Sequence, residues 1–346
     1  MIANLIREDL RNFLPYQTAK MRGDTEYIRL HANESPWSTD ALALNRYPQV
    51  LSNEKLCEFY QVSTDQLLVT RGSNDGIDLL MRLFCRAEYD EVLTISPTYG
   101  MYQLAAQLQG VKTNMVALSA ENNFAFNLEA VLAALTPSTK MVFLCSPNNP
   151  TGLTIDLASI RRLCEENIIV VIDEAYIEFA NRQSASCLLN CYRNLVILRT
   201  LSKAFGLAGL RAAVVLADQQ VIQWLQAIMP PYPIPTPCQA ALIEAFASER
   251  IMQMWVNVAM VKRSRQFLQD ALKKFKFIEY IIPSEANFLL LQMQDVDELV
   301  QFSAEQGILL RKVTGINTFL RISVGSETDN CSVLTVLTAW EQKNEK

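Results

Sequence analysis

The chain has 346 residues, 50% of them hydrophobic and 19% charged, the make-up of an ordinary soluble globular protein with room for one large domain and a smaller one. Its 31 Lys and Arg against 36 Asp and Glu give a net charge of −5, and no basic stripe stands out, which argues against nucleic acid as a partner. One histidine, His31, excludes a multi-histidine metal site or a histidine pair and leaves no imidazole for a Ser-His-Asp triad elsewhere, so proton transfer falls to lysine, carboxylate or tyrosine.

The chain opens MIANLIREDLRNFLPY, with Arg7, Glu8, Asp9 and Arg11 where a signal peptide would need an unbroken apolar segment. No later run is long and apolar enough to span a bilayer, so a cytoplasmic location without membrane contact is expected. The eight cysteines lack zinc-ribbon or redox spacing and read as reduced thiols.

Short apolar runs then alternate with amphipathic stretches of helical length. QLLVT (66–70) precedes GIDLLMRLFCR, EVLTI precedes YGMYQLAAQLQG, and KMVFLC (140–145) precedes DLASIRRLCEEN. IIVVID, LVILRT and AAVVLAD continue the series, and QQVIQWLQAIM closes it as a helix. This alternation predicts an α/β domain over residues 31–229, its mostly parallel sheet flanked by helices. MPPYPIPTPC, with prolines at 230, 231, 233, 235 and 237, suits neither helix nor central strand and marks a connection over 230–237. Beyond it, a helical region (238–275), FIEYIIPSEANFLLLQM, DVDELVQFSAEQG, ILLRKV, LRISVG and a terminal helix predict a smaller α+β domain over 238–346. The first thirty residues, outside the alternating pattern, are expected to pack with it.

In an open α/β sheet, ligands sit beyond the carboxyl ends of the strands, and four such ends are unusual together. RGSNDG (71–76) leads into a helix with glycines that allow close backbone approach, so free N–H groups could meet an anion; alone, a helix capped by Ser73 or Asn74 is the plainer reading. SPNNPTG (146–152) holds the amides of Asn148 and Asn149 at the sheet edge, although turn chemistry also explains it. Asp173 ends a fully apolar run, where a carboxylate loses hydration and calls for a specific partner, and Tyr176 adds a phenol nearby. In RTLSKAFGLAGLR (199–211), Thr200, Ser202, Lys203 and Arg211 suit a cofactor carrying both an aldehyde and a phosphate; a surface lysine is the plainer reading. Jointly, an anion-binding turn, an acid for a ring nitrogen, a phenol and an amide for a ring oxygen, and an amine for an aldehyde describe pyridoxal 5′-phosphate.

With SPNNPTG, VIDEAYIEF and RTLSKAFGLAGLR in hand, and TRGSNDGIDLLMRLF and SPTYGMY in support, the chain resembles the fold-type I pyridoxal-phosphate-dependent aminotransferases. Within them it is most similar to the histidinol-phosphate branch, from LPYQTAK (14–20) to LRISVG (320–325). The resemblance implies that Lys203 binds the cofactor aldehyde and acts as general acid and base, that Asp173 pairs with the ring nitrogen, and that Tyr176 and Asn149 hold the phenolic oxygen. It assigns the phosphate to Arg211, Ser202, Thr200, Ser73 and Asn74, and the ring face to Tyr99. Tyr47, in NRYP (45–48), matches a tyrosine that reaches the neighbouring subunit's phosphate, which implies a homodimer with shared active sites.

For small-molecule substrates, the resemblance gives the α-carboxylate to Arg321 and the phosphate of an amino phosphate to Arg311 and Tyr16, with Asn149 also at the substrate. The implied reaction exchanges the amino group between L-histidinol phosphate and 2-oxoglutarate, giving imidazole-acetol phosphate and L-glutamate, in histidine biosynthesis. Threonine-phosphate decarboxylase and aromatic aminotransferase are alternatives that use the same apparatus, and a non-catalytic cofactor-binding regulator is a more remote one. Two departures from the family pattern stand out. HANESPW (31–37) puts His31 and Ser35 where relatives have asparagines, and Asn74 replaces an acidic residue. Both are expected to bear on substrate fit and cofactor affinity.

Overall fold

The computed structural model describes residues 2–11, 13–14, 28, 30–39, 41–49 and 51–344. Its first part runs α1 (Glu54–Tyr60), β1 (Leu67–Thr70), α2 (Ser73–Phe84), β2 (Glu91–Ser96), α3 (Met101–Leu108), β3 (Lys112–Ala117) and α4 (Leu128–Ala133). β4 (Thr139–Cys145), α5 (Leu157–Cys164), β5 (Ile169–Asp173), β6 (Leu195–Thr200), β7 (Ala213–Ala217) and α6 (Gln219–Ile228) follow. The strands form one sheet in the order β1-β7-β6-β5-β4-β2-β3, parallel throughout except for β7, which runs against both neighbours.

Burial explains why the central strands read as unbroken apolar runs: helices cover both faces, so every side chain needs an apolar neighbour. Ile169, Val170, Val171 and Ile172 are each fully buried. At roughly 2 kcal/mol apiece, their burial outweighs the cost of the carboxylate that ends the strand. β3 was not anticipated, because KTNMVA is an edge strand with a half-exposed, weakly alternating pattern.

The second part comprises α7 (Thr236–Ala245), α8 (Ser248–Leu272), β8 (Ile278–Ile282), β9 (Phe288–Met293), α9 (Val296–Glu305), β10 (Arg311–Lys312), β11 (Phe319–Ser323) and α10 (Glu327–Asn344). Its strands pair antiparallel in the order β10-β11-β9-β8. Leu268 and Leu272 from α8 and Leu337 and Trp340 from α10 share a core with Leu289 and Leu291 of β9.

Two expectations change. The proline-rich stretch does admit a helix: α7 starts at Thr236, with Pro237 in its first turn, where a missing N–H costs nothing. Of the N-terminal thirty, residues 2–11 are described as a continuous run, and they lie against α2. Arg7 N–H donates to Leu83 O (3.1 Å), Arg7 Nη1 donates to Arg82 O (3.0 Å), and Ile2, Leu5 and Ile6 are buried in a core with Leu80 and Leu83.

Candidate active site

Strands β1, β2, β4, β5 and β6 all end at one edge of the large sheet, and β7, running the other way, begins there. The pairings Thr70 with Ala213, Thr200 with Ala213, and Cys145 with Asp173 fix that edge. Residues 201–212 are therefore the return between β6 and β7, which brings Lys203 and Arg211 back to the same place. A cavity of about 800 Å³ opens there, lined by twelve of the residues singled out in the sequence.

One end collects hydroxyls, an amide and a guanidinium. Ser73 and Asn74 open α2 at this end of the cavity, whose lining also includes Thr200, Ser202 and Arg211, so the positive dipole end of the helix lies there. Thr200 Oγ1 accepts from the Ser202 amide (3.2 Å) and lies 3.1 Å from Ser202 Oγ, which fixes the two hydroxyls together. Gly72, at φ +91°, leaves room for Arg211: a Cβ there would stand 2.9 Å from Arg211 Nη2. Tyr99, half-buried, donates to Asn74 Oδ1 (3.0 Å), so that amide orients the phenol.

At the centre, Asp173 is 2% exposed, and its carboxyl is pushed up to about 6 by burial, against the pull of the Tyr102 hydroxyl, the Ala175 amide and the Lys203 charge. Lys203 Nζ sits 5.7 Å from the Tyr176 ring centroid. Burial, with Arg321 and Arg211 nearby, lowers the Lys203 pKa, while Asp173 opposes that. Burial pushes the Tyr176 phenol up, so it remains a proton donor.

The far end is cationic. Arg311 and Arg321 face each other across the β10–β11 pair, both lining the cavity, a like-charge cross-strand arrangement that repels unless an anion lies between. Burial first, then Arg311, lowers the pKa of Arg321. Arg321 packs over Phe288 (5.3 Å) and its Nη1 donates to Asn149 Oδ1 (2.6 Å). With its oxygen so engaged, Asn149 has its amide N–H groups left to donate.

A protein-family model for class I and II aminotransferases matches residues 25–337. The histidinol-phosphate aminotransferase of Francisella philomiragia subsp. philomiragia is 41% identical over 346 residues, spanning 96% of this chain and 94% of that protein. The chain belongs to the class I and II aminotransferases, in the histidinol-phosphate family. Solved structures agree on the fold of this aminotransferase. Histidinol-phosphate aminotransferase from Sinorhizobium meliloti in complex with pyridoxal-5′-phosphate superposes with a TM-score of 0.75 at 22% identity, over 84% of this chain and 80% of that one. L-threonine-O-3-phosphate decarboxylase from Porphyromonas gingivalis superposes with a TM-score of 0.71 at 19% identity, over 86% and 91%. The fold therefore does not by itself choose between transamination and decarboxylation.

Not every expected residue meets in the aminotransferase cavity. Tyr16 lies outside the described residues. Tyr47 is 52% exposed, does not line the cavity of its own chain, and stacks on Tyr232 with ring centroids 4.5 Å apart. Its backbone N–H donates to Glu34 (2.6 Å), and Glu34 also pairs with Arg46 (2.9 Å). Further residues support the site, and of these the Arg199, Glu174 and Glu178 cluster was not foreseen. Asn148 turns inward, taking a hydrogen bond from Thr98 (2.6 Å) and donating to Pro97 O (3.0 Å), which clamps the turns after β2 and β4 together. Beneath the ends of β5 and β6, buried Arg199 bridges Glu178 (2.6 Å) and Glu174 (3.4 Å), with the Tyr60 ring 5.1 Å away. Glu174, pushed up by burial, is further held by the Ser184 hydroxyl (2.6 Å) and the Ala185 amide (2.7 Å). The signal was present in DEAYIEF and LVILRT as charges inside apolar runs.

Proposed function

We propose that this aminotransferase binds pyridoxal 5′-phosphate and moves the amino group of L-histidinol phosphate to 2-oxoglutarate, as part of histidine biosynthesis. The observation that carries the reading is the meeting of Lys203, Asp173 and Arg211 in one cavity through the β6–β7 return. The residues present fit the cofactor. Arg211, Thr200, Ser202, Ser73, Asn74 and the α2 N-terminus form an anion end that no carboxylate crowds, with Gly72 leaving space beside the guanidinium. Buried Asp173 lines the cavity and would serve a ring nitrogen as its acid, the Tyr176 hydroxyl and Asn149 amide would serve a phenolic oxygen, and Tyr99 would supply a ring to stack against.

When bound, the cofactor supplies a sink for the electrons of the carbon that loses its proton. Lys203 would hold it by its aldehyde, and its Nζ, when free, would take the proton from the amine-bearing carbon of the substrate. That step needs a neutral amine, which burial and the two arginines favour. Asp173 keeps a proton on the ring nitrogen. Arg321 and Arg311 bind the anionic end of the substrate, and their pairing suits a phosphate ester or a carboxylate.

In this reading the enzyme is a homodimer in the cytoplasm. Exposed Tyr47, outside its own chain's cavity, serves the phosphate end of the partner's. The eight cysteines are free thiols, in keeping with a reducing compartment.

The test is a donor panel of histidinol phosphate, phosphothreonine and aromatic amino acids, followed by the absorbance change of the bound cofactor and by CO2 release. Histidinol phosphate should be the best donor with no CO2 evolved, and Lys203→Ala should lose both turnover and the visible absorbance of the lysine-bound cofactor. Evolution of CO2, a preference for carboxylate donors, or a Lys203→Ala variant with both properties intact would overturn the proposal.

A further inference from the structure

We infer that Tyr102, to which no role attaches so far, is the positioning residue that sets how firmly Asp173 keeps a proton on the ring nitrogen of the cofactor. The inference rests on the reading of Asp173 given above. Tyr102 follows Tyr99 by three positions in SPTYGMY, so one turn at the start of α3 puts Tyr99 at the cavity and Tyr102 beneath it. Their rings meet edge to face at 5.7 Å. Tyr102 is wholly buried, its ring stacked on Phe143 of β4 at 5.0 Å, which fixes where its hydroxyl points. That hydroxyl donates to Asp173 Oδ2 at 2.8 Å.

Packing alone does not explain the arrangement. A buried tyrosine hydroxyl needs a partner, and a backbone carbonyl would serve. Here the partner is the one carboxylate lining the centre of the cavity. Asp173 Oδ1 takes the Ala175 amide (3.1 Å), so one oxygen is held by backbone and the other by Tyr102. The neighbouring thiol, Cys145 Sγ, donates to Pro147 O (3.2 Å), so its proton is committed elsewhere. Burial and the adjacent carboxylate hold the Tyr102 phenol well above the ordinary range, which keeps it a donor at working pH.

A donor on Oδ2 makes the carboxylate a weaker base. Without it, the buried carboxylate draws the shared proton off the ring nitrogen and both groups become neutral. A neutral ring withdraws electrons less well, so proton removal from the substrate carbon slows while substrate binding, made by other residues, does not change.

Tyr102→Phe tests this, since phenylalanine keeps the stack on Phe143 and removes only the hydroxyl. Holoenzyme would be reconstituted with pyridoxal 5′-phosphate isotopically labelled at the ring nitrogen, and its nitrogen chemical shift read beside kcat and KM. The expected result is a shift toward the neutral-ring position and a fall in kcat of about 10- to 100-fold with KM nearly unchanged, the size expected for one hydrogen bond to a charged group. A fluorinated tyrosine at position 102, a stronger donor of the same shape, should leave the ring nitrogen as fully protonated as in the parent or more so. This second variant also keeps the question open to refutation if the phenylalanine variant folds poorly. A nitrogen signal and kcat equal to the parent's in Tyr102→Phe, or a loss confined to thermal stability, overturns the inference. Asp173→Asn separates the two levels. If that change leaves the ring nitrogen unmoved, the reading of Asp173 itself fails; if it moves the signal and Tyr102→Phe does not, only the role of Tyr102 falls.

Discussion

Replacing Asp173 by asparagine should stabilise the cofactor-free chain while destroying its activity. The carboxyl titrates near 3.8 when unperturbed and is pushed up to about 6 in the folded chain. A raised carboxylate pKa means that the folded state holds its proton more tightly, so its contribution to stability is complete below about pH 4 and is lost as pH rises through about 6. The difference of roughly two pKa units corresponds to about 3 kcal/mol of penalty above that window. Asparagine carries no charge to desolvate; its oxygen can accept from the Ala175 amide while its NH2 donates to the Tyr102 oxygen, so part of that amount should be recovered at pH 8. Chemical denaturation of the two cofactor-free proteins across pH would measure it. The curves should converge below about pH 4 and separate, with the variant more stable, above about pH 6. A variant no more stable than the parent at pH 8, or a gap that does not depend on pH, would refute the reasoning. In the loaded enzyme the order of activity reverses: kcat should fall by several orders of magnitude, because nothing then keeps the ring nitrogen protonated.

Arg321→Gln should raise the KM of the amino donor and lower kcat/KM by about 100-fold, since it removes a charge-assisted contact and unpartners Asn149 Oδ1; Arg311→Gln should affect phosphate donors more than carboxylate ones in the same steady-state assay. Gly152→Ala should destabilise by about 2 kcal/mol or more, because a Cβ at φ +76° would lie 2.2 Å from Ser284 Oγ and 2.9 Å from Ser284 Cα. Denaturant melts would check it, and Ser284→Gly in the same chain should return only part of the loss. Arg199→Met should cost about 3–5 kcal/mol by leaving Glu174 and Glu178 buried without their cation, and adding Glu178→Gln should recover part of it, a coupling that a double-mutant cycle would expose.

Much of the site was legible because strand ends in an α/β sheet are where polar residues have a reason to interrupt apolar runs. Asp173 after IIVVI and Lys203 after LVILRT announced themselves in this way, and one edge of the sheet does bring them together. Direction was not legible. AAVVLAD is apolar whichever way it runs, so the reversal of β7 that returns Arg211 to Lys203 left no mark in the pattern. Tyr102 was passed over for another reason: its partner lies 71 residues away, and helical spacing reports only which face a side chain takes. Residues 2–11 had too short an apolar pattern to name their neighbour, and Ile2, Leu5 and Ile6 are buried in the core that α2 shares. The buried Arg199 cluster depended on which strands are adjacent, which composition does not encode.

The β6–β7 return also works as a ruler. The spacing between the amine of Lys203 and the guanidinium of Arg211 is set by a backbone ladder, with Thr200 opposite Ala213 and Arg199 opposite Val214 closing the loop at its base. Main-chain hydrogen bonds hold the gauge, and within the return Gly206 at φ +67° makes the turn while Phe205 anchors it on Phe59 and Phe246. A residue gained or lost in this segment would therefore recalibrate the site without touching any group that performs chemistry.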